Sequence, residues 1–583
     1  MSGARLSRLG LALALTLSWS SAASSALASV SPQQYAKLRE ETFEAAQGAV
    51  VSTAADAMTN VSARLGEGGG ELAVMVRKRE GLVARLASVR KQIQQASEGP
   101  ADSVEAVARR ARTAALRDQE SALALELDAE EKAIDEAFPA FTELTRPLPL
   151  KARETQALLD DNEAVLLIVP APDGTYIWAV TRKGFEWARS PMTDAQITLA
   201  VQALRKDLDP STATRGAIGM AGAPAAQPPS AAPSGFDRTT AFKLYQELIA
   251  PLEPTFRDKA VVFVATTGAL QSLPFAVLVT SPPQGADTDR AYVRETAWLI
   301  DRYALVTLPA ISSLRSLRCF LAARAHRGCA QPGGARNRNS GPTLAYAGLG
   351  GPTLGGGGGN DRGAEGWEKY SNGALADPDK LRALAPLPGA ESEIGALSAL
   401  FERRGSIVRT RDQFTETLVK TNLDIRRAAV LHFATHALMG GETGSLGEPG
   451  LVMTPPAESA ASAQDDGLLT ASEAAALDLQ ASFVVLSACN TARADGTLGA
   501  DGLSGLARSF FYAGAKSLLV SHWSVDDKST RELMVSMFTA IDTGSTSRAI
   551  ALQQAIQAVK AQTAFVEPRF WAPFVLVGES RGN

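Results

Sequence analysis

Three cysteines, four histidines and an aromatic content of 6% leave few side chains for chemistry in a chain of 583 residues. Basic residues number 58 against 62 acidic ones, a net charge of −4, and no basic tract is interleaved with aromatics, so nucleic acid is not an expected partner. No Gly-x-Ser-x-Gly elbow occurs, which argues against the common serine hydrolases. His432 and His436 have the spacing of a zinc helix, but Phe433 stands where His-Glu-x-x-His needs its Glu and the segment reads as strand. Neither a metal nor an organic cofactor is expected. The glycine-rich stretch 348–359 has no Lys-Ser/Thr after it to reach a phosphate, and it reads as part of a linker over 327–371.

Two strand-like runs do carry chemistry. Residues 483–489, Phe-Val-Val-Leu-Ser-Ala-Cys, end in the thiol of Cys489, and residues 429–436, Ala-Val-Leu-His-Phe-Ala-Thr-His, end in the imidazole of His436. In a parallel α/β sheet the carboxyl ends of neighbouring strands open onto one crevice, so the two can meet although 53 positions separate them. A thiol needs a nearby base or cation to become a thiolate, and histidine is the usual supplier. The competing reading is a buried cysteine and a core histidine, the role assigned here to His432. The order, His and then Cys at about 50 residues, is that of caspase-like peptidases.

Six segments sharpen this: His-Phe-Ala-Thr-His at 432–436, Asp-Gly-Leu-Leu-Thr-Ala-Ser-Glu at 466–473, Leu-Ser-Ala-Cys-Asn-Thr at 486–491, Gly-Leu-Ala-Arg-Ser-Phe at 505–510, His-Trp-Ser-Val-Asp-Asp at 522–527 and Trp-Ala-Pro-Phe-Val-Leu-Val-Gly at 571–578. Together and in this order they resemble the CHAT family of bacterial caspase-like and separase-like peptidases, often joined to TPR repeats. The likeness runs from about Arg146 to Gly578. Ala437 stands where the family usually has Gly, and Asn490 where it often has Glu. An Ala there keeps its backbone N–H donor in place if φ is negative.

The N-terminus reads as a targeting segment. Arg5 and Arg8 precede an apolar run over 9–17, and Ala26-Leu27-Ala28 is a small-x-small cleavage site. That run falls well short of the ~20 residues of a membrane span. The expected mature chain begins near Ser29, in a bacterial periplasm or outside the cell, without a membrane span. If Cys319 and Cys329 pair there, Cys489 is the odd thiol, a candidate for reactivity.

The expected fold class is α/β: a caspase-like, doubly wound, mostly parallel sheet with flanking helices over 342–578. Before it come a degenerate caspase-like α/β half over 146–326, with an insertion at 210–235, and a helical hairpin over 31–141. The hairpin rests on Leu72, Met75, Leu82, Leu86, Val89 and Ile93 at helical steps, a turn at 98–100 and a second amphipathic run over 104–138. Residues 35–47 resemble the remnant of a TPR repeat.

These readings converge on a cysteine endopeptidase acting on protein or peptide substrates; the hairpin is a candidate platform for a protein partner, the alternative being that its two faces only pack on each other. As the resemblance implies, Cys489 attacks the scissile carbonyl, His436 serves it, and the N–H groups of Ala437 and Cys489 hold the oxyanion. Some caspase-like relatives use calcium. Asp526 and Asp527 follow the strand expected beside that of Cys489 and suggest an acidic pocket for a basic residue; the alternative is a helix cap, favoured for Asp527. The rival function is a catalytically silent scaffold. Cell fractionation with N-terminal sequencing tests the targeting reading: a mature N-terminus near Ser29 is expected, and a cytoplasmic chain that keeps Met1 overturns it.

Overall fold

The computed structural model describes residues 32–50, 106–137, 149–209, 235–320, 329, 342–356, 371–372, 375–438, 449–462, 465–477, 479–488, 505–523, 525–543 and 547–581, with single helical positions between 75 and 93. The expected signal segment, most of the expected linker and nearly all of the 210–235 insertion lie outside them. Helix α1 (Pro32–Val50) docks on the first half through Phe43, whose ring meets Phe185 edge-on at 5.3 Å. Helix α2 (Ala106–Ala137) packs Leu116 and Leu123 on Leu82, Leu86 and Val89, and Lys78 reaches Glu130 at 2.5 Å. Early residues of one helix thus meet late residues of the other, an antiparallel pair that buries its own two faces.

The first half begins with α3 (Ala152–Leu158), then strands β1 (Glu163–Ala171), β2 (Gly174–Thr181) and β3 (Phe185–Ser190). Helices α4 (Asp194–Leu208) and α5 (Arg238–Leu248) lead to β4 (Val261–Thr266) and β5 (Ala304–Thr307). The second half runs β6 (Leu344–Gly350), α6 (Pro388–Phe401), β7 (Ser406–Thr410), β8 (Ala428–Ala434), the short strands β9 (Ala437–Leu438), β10 (Gly450–Val452) and β11 (Leu468–Thr470), then β12 (Phe483–Ser487). It closes with α7 (Gly505–Ala513), β13 (Ser517–Ser521), α8 (Asp527–Thr543), α9 (Arg548–Ala561) and β14 (Phe574–Gly578).

Both halves belong to one 11-stranded, mostly parallel sheet in the order β3-β2-β1-β4-β5-β14-β13-β12-β8-β6-β7. The last strand is the seam. β14 pairs parallel with β5 and antiparallel with β13, so the parallel strands of one half run opposite to those of the other. Strands buried on both faces read as unbroken apolar runs, which is why β8, β12 and β13 stand out in the sequence. On one face Leu431, Phe433, Val484, Leu486 and Leu518 pack with Phe510; on the other a continuous core crosses the seam from Val165 and Phe263 through Phe574 to Leu519 and Phe483.

Helix α6 lies close on β6 and β8. A Cβ at Gly348 would come within 2.6 Å of Ile394 and 2.8 Å of the Tyr346 hydroxyl, so glycine at 348 serves helix packing and not a phosphate.

Cys319 and Cys329 are disulfide-bonded. Beside them the fully buried Arg318 donates to Glu163 at 2.7 Å and to Glu579 at 3.1 Å, joining the start of β1 to the residue after β14. Burial pushes the Glu579 carboxyl up, but the Arg318 charge and hydrogen bonds, aided by Arg581, outweigh it and hold it at about 2. A depressed carboxyl stabilises the fold above its unfolded value near 4.5 and loses that contribution as pH falls towards 2. Replacing Arg318 by Ala strands two buried carboxylates and is expected to cost about 3–5 kcal/mol in urea unfolding. A loss under about 1 kcal/mol would show the network to be dispensable.

Candidate active site

β8 and β12 lie side by side and parallel, with Phe433 opposite Leu486 and Ala434 opposite Ser487. His436 comes two residues after Ala434 in the sequence, and Cys489 two residues after Ser487. The two strands therefore end level at the sheet's carboxyl edge. Cys489 and Asn490 lie outside the described residues.

His436 is 1% exposed, and its Nε2 lies 2.8 Å from the carbonyl oxygen of Ala385. A carbonyl can only accept, so Nε2 carries the proton and Nδ1 is the basic nitrogen of the neutral ring. Ala385 sits just before α6, ahead of Pro386, which biases it towards extended backbone. Sequence reasoning named no third group, and none was legible, since every residue has a carbonyl.

Ala437 opens β9 and pairs with Leu451 of β10. One residue earlier, Val452 N–H donates to His436 C=O at 2.9 Å. Antiparallel ladders alternate, so the N–H of Ala437 faces away from β10. Among the described non-glycine residues only Arg411 has positive φ, so Ala in place of Gly at 437 brings no left-handed strain.

The segment 466–473 braces this sheet. Asp466 accepts from the N–H groups of Ala376 at 2.7 Å and Leu468 at 3.1 Å, while Glu416 accepts from those of Asp466 and Gly467. Lys420 contacts both Glu416 and Glu473. Burial pushes the Glu416 carboxyl up to about 8, opposed by Lys420 and reinforced by the charge of Glu473.

β13 is the next strand beyond β12, as the sequence placed it, and Ser521 Oγ donates to the carbonyl of Ala488. Helix α8 begins at Asp527, so the capping carboxylate is that of Asp526: its Oδ1 accepts from Lys528 N at 3.1 Å and Ser529 N at 2.9 Å. This corrects the assignment of the cap to Asp527. Asp527 instead lies against the start of α6, where a Cβ at Gly389 would meet its Oδ2 at 2.5 Å.

His432 is fully buried in the core, as expected, between Tyr346 and Glu393.

Residues 238–579 match the model of the CHAT domain. The chain belongs to the CHAT domain family. The match starts downstream of the Arg146 expected from the motifs, and residues 146–237 lie outside it. Tetratricopeptide repeat protein 28 of Mus musculus is 27% identical over 373 residues, 58% of this chain and 13% of that protein. The Homo sapiens protein of the same name is 27% identical over 388 residues, again 13% of its length. The chain thus spans a small fraction of these relatives. Among solved structures, separase in the Saccharomyces cerevisiae separase–securin complex overlaps 85% of this chain and 37% of its own, with a TM-score of 0.39 at 10% identity. The Arg-specific cysteine proteinase gingipain R overlaps 60% of this chain and 69% of its own, with a TM-score of 0.33 at 11% identity.

His522 follows β13 and is 4% exposed, its Nδ1 without a hydrogen-bond partner among the described residues. Burial, with the Arg205 charge, lowers its pKa to about 3, so the ring stays neutral when folded. The unfolded chain binds this proton more readily, so stability should fall as pH drops from 6.5 towards 3, by about 1.4 kcal/mol per pH unit for one group. Urea unfolding of His522→Leu against pH checks this. The slope should flatten by one proton relative to wild type, and an unchanged slope would refute the assignment.

Proposed function

We propose that this CHAT-domain chain is a cysteine endopeptidase of caspase-like type, with Cys489 as nucleophile and His436 as its base. The observation that carries the reading is the level ending of β8 and β12, with His436 held by the Ala385 carbonyl at the shared edge. In the proposed reaction the Cys489 thiol gives its proton to His436 Nδ1 and the sulfur attacks the scissile carbonyl carbon. The carbonyl oxygen becomes an oxyanion, held by the N–H groups of Ala437 and Cys489. The intermediate expels the amine, which takes the proton from His436, and water then hydrolyses the acyl-enzyme. An imidazolium forms along the way, and a carbonyl on its far nitrogen stabilises that charge.

The proposed substrate carries a basic residue before the cleaved bond. Both cap bonds of Asp526 fall on Oδ1, which leaves Oδ2 for a cation. Export remains part of the proposal; the Cys319–Cys329 disulfide suits an oxidising compartment. So does a protein partner at the N-terminal helical hairpin.

An electrophilic peptide probe followed by mass spectrometry tests the chemistry. Labelling should fall on Cys489, and Cys489→Ala should abolish peptide cleavage while His436→Ala removes nearly all of it, because members of a catalytic unit fail together. Cleavage should follow Lys or Arg and weaken in Asp526→Ala, a variant that also loses about 1 kcal/mol with its cap. Wild-type and Cys489→Ala chains equally inert towards a broad peptide library would leave the scaffold reading standing.

A further inference from the structure

Tyr346 on β6, His432 on β8 and Glu393 on α6 form a wholly buried polar group inside the catalytic half, each 0% exposed. The Tyr346 hydroxyl and His432 Nδ1 are 2.8 Å apart. His432 Nε2 lies 2.9 Å from Glu393 Oε1, at ion-pair distance but at angles too oblique for a good hydrogen bond. Burial and the Glu393 charge keep the tyrosine protonated. Such a group is costly in a core, and apolar replacements of similar volume often serve stability as well or better. The surroundings are nonetheless shaped for it: His432 pairs across the ladder with Gly348, and any side chain there would strike the Tyr346 hydroxyl.

The two histidines of β8 and its edge both engage α6 and its lead-in. His432 meets Glu393 within the helix, and four residues on His436 meets the Ala385 carbonyl just before it. Between Ala385 and the helix stand Pro386 and Leu387, and the helix itself opens on Pro388. Two prolines with φ fixed near −65° make this lead-in stiff, so the Ala385 carbonyl moves with the helix. We propose that Glu393, acting with His432 and Tyr346, is a positioning residue for the dyad: it clamps α6 on β8 and so sets where the Ala385 carbonyl meets His436. The proposal rests on the peptidase reading above. Neither Glu393 nor His432 touches substrate; they act through the carbonyl.

The test is the rate of Cys489 alkylation by iodoacetamide against pH in the full-length chain, read by mass spectrometry of the peptide that holds residue 489. Wild type, His436→Ala, Glu393→Gln and Tyr346→Phe are compared, with circular dichroism to verify folding. In wild type the midpoint should lie below the roughly 8.5 of a free thiol, and His436→Ala should return it there. Glu393→Gln should raise the wild-type midpoint by about half to one pH unit, lowering alkylation about three- to tenfold at pH values well below both midpoints. Tyr346→Phe should shift it less, in the same direction. A folded Glu393→Gln chain that melts lower yet keeps its midpoint within about 0.2 pH unit of wild type would reduce the group to a core contact and overturn the proposal. If Glu393→Gln does not fold, Tyr346→Phe decides by the same criterion. If His436→Ala leaves the midpoint unmoved, the dyad reading fails and this inference with it; a shift in His436→Ala without one in Glu393→Gln sinks this inference alone.

Discussion

The antiparallel pairing of β14 with β13 constrains the rest of the molecule. Because β14 also runs parallel to β5, the sheet reverses direction at this seam while its hydrogen-bonded ladder continues unbroken. Each parallel half opens a crevice at its own carboxyl edge, so the reversal puts the ends of β1, β4 and β5 on the edge opposite to those of β8 and β12. The first half cannot bring its strand-end loops to His436. It contributes core instead, through Val165, Phe263 and their neighbours, and it anchors the seam through Arg318, Glu163 and Glu579.

What the seam does for the sheet, α6 does for the edge that carries His436. The helix covers β6 and β8 where Gly348 lets it approach, presents Glu393 to His432, and leads in through the carbonyl that meets His436. Its start also meets Asp527 of α8. Helix N-termini carry partial positive charge from unsatisfied N–H groups, so a carboxylate placed there is favourable. Asp526 and Asp527 are consecutive, yet one serves the helix it precedes and the other a different helix.

Long, uniformly apolar strands were legible. Residues 428–434, 483–487 and 517–521 are buried along nearly their whole length and are mostly apolar, with His432 and serines at the strand ends as their polar members. The level ending of the two chemical strands followed from the same pattern, because both runs stop at a polar residue. β5 has four residues, and β9, β10 and β11 have two or three each, too few for a period of two to show. The segment that forms β14 carries a family motif, but nothing local marks it as the strand that joins β5, where Leu576 meets Val306 about 270 residues earlier in the chain. Its partners are long-range, and pairing of that kind leaves no mark on composition. The Ala385 carbonyl was illegible for a different reason: the donor is a distinctive side chain, but the acceptor is a group found at every position.

The departure at Ala437 shows how a motif can differ while its geometry persists. Glycine is required where φ is positive or where a Cβ has no room. Ala437 has neither problem: its φ is not positive, and its side chain packs in the core with Leu451 and Leu469. The oxyanion role proposed for this residue depends on its N–H alone, and the direction of that N–H is set by the alternation of the β9–β10 ladder, which the side chain does not enter. Alanine also restricts the unfolded backbone more than glycine does, so where the native conformation accepts it the substitution favours the folded state by about 0.4–1 kcal/mol. The family's usual glycine is therefore replaceable here without cost to the donor, and the ladder, rather than the residue at 437, is what the site depends on.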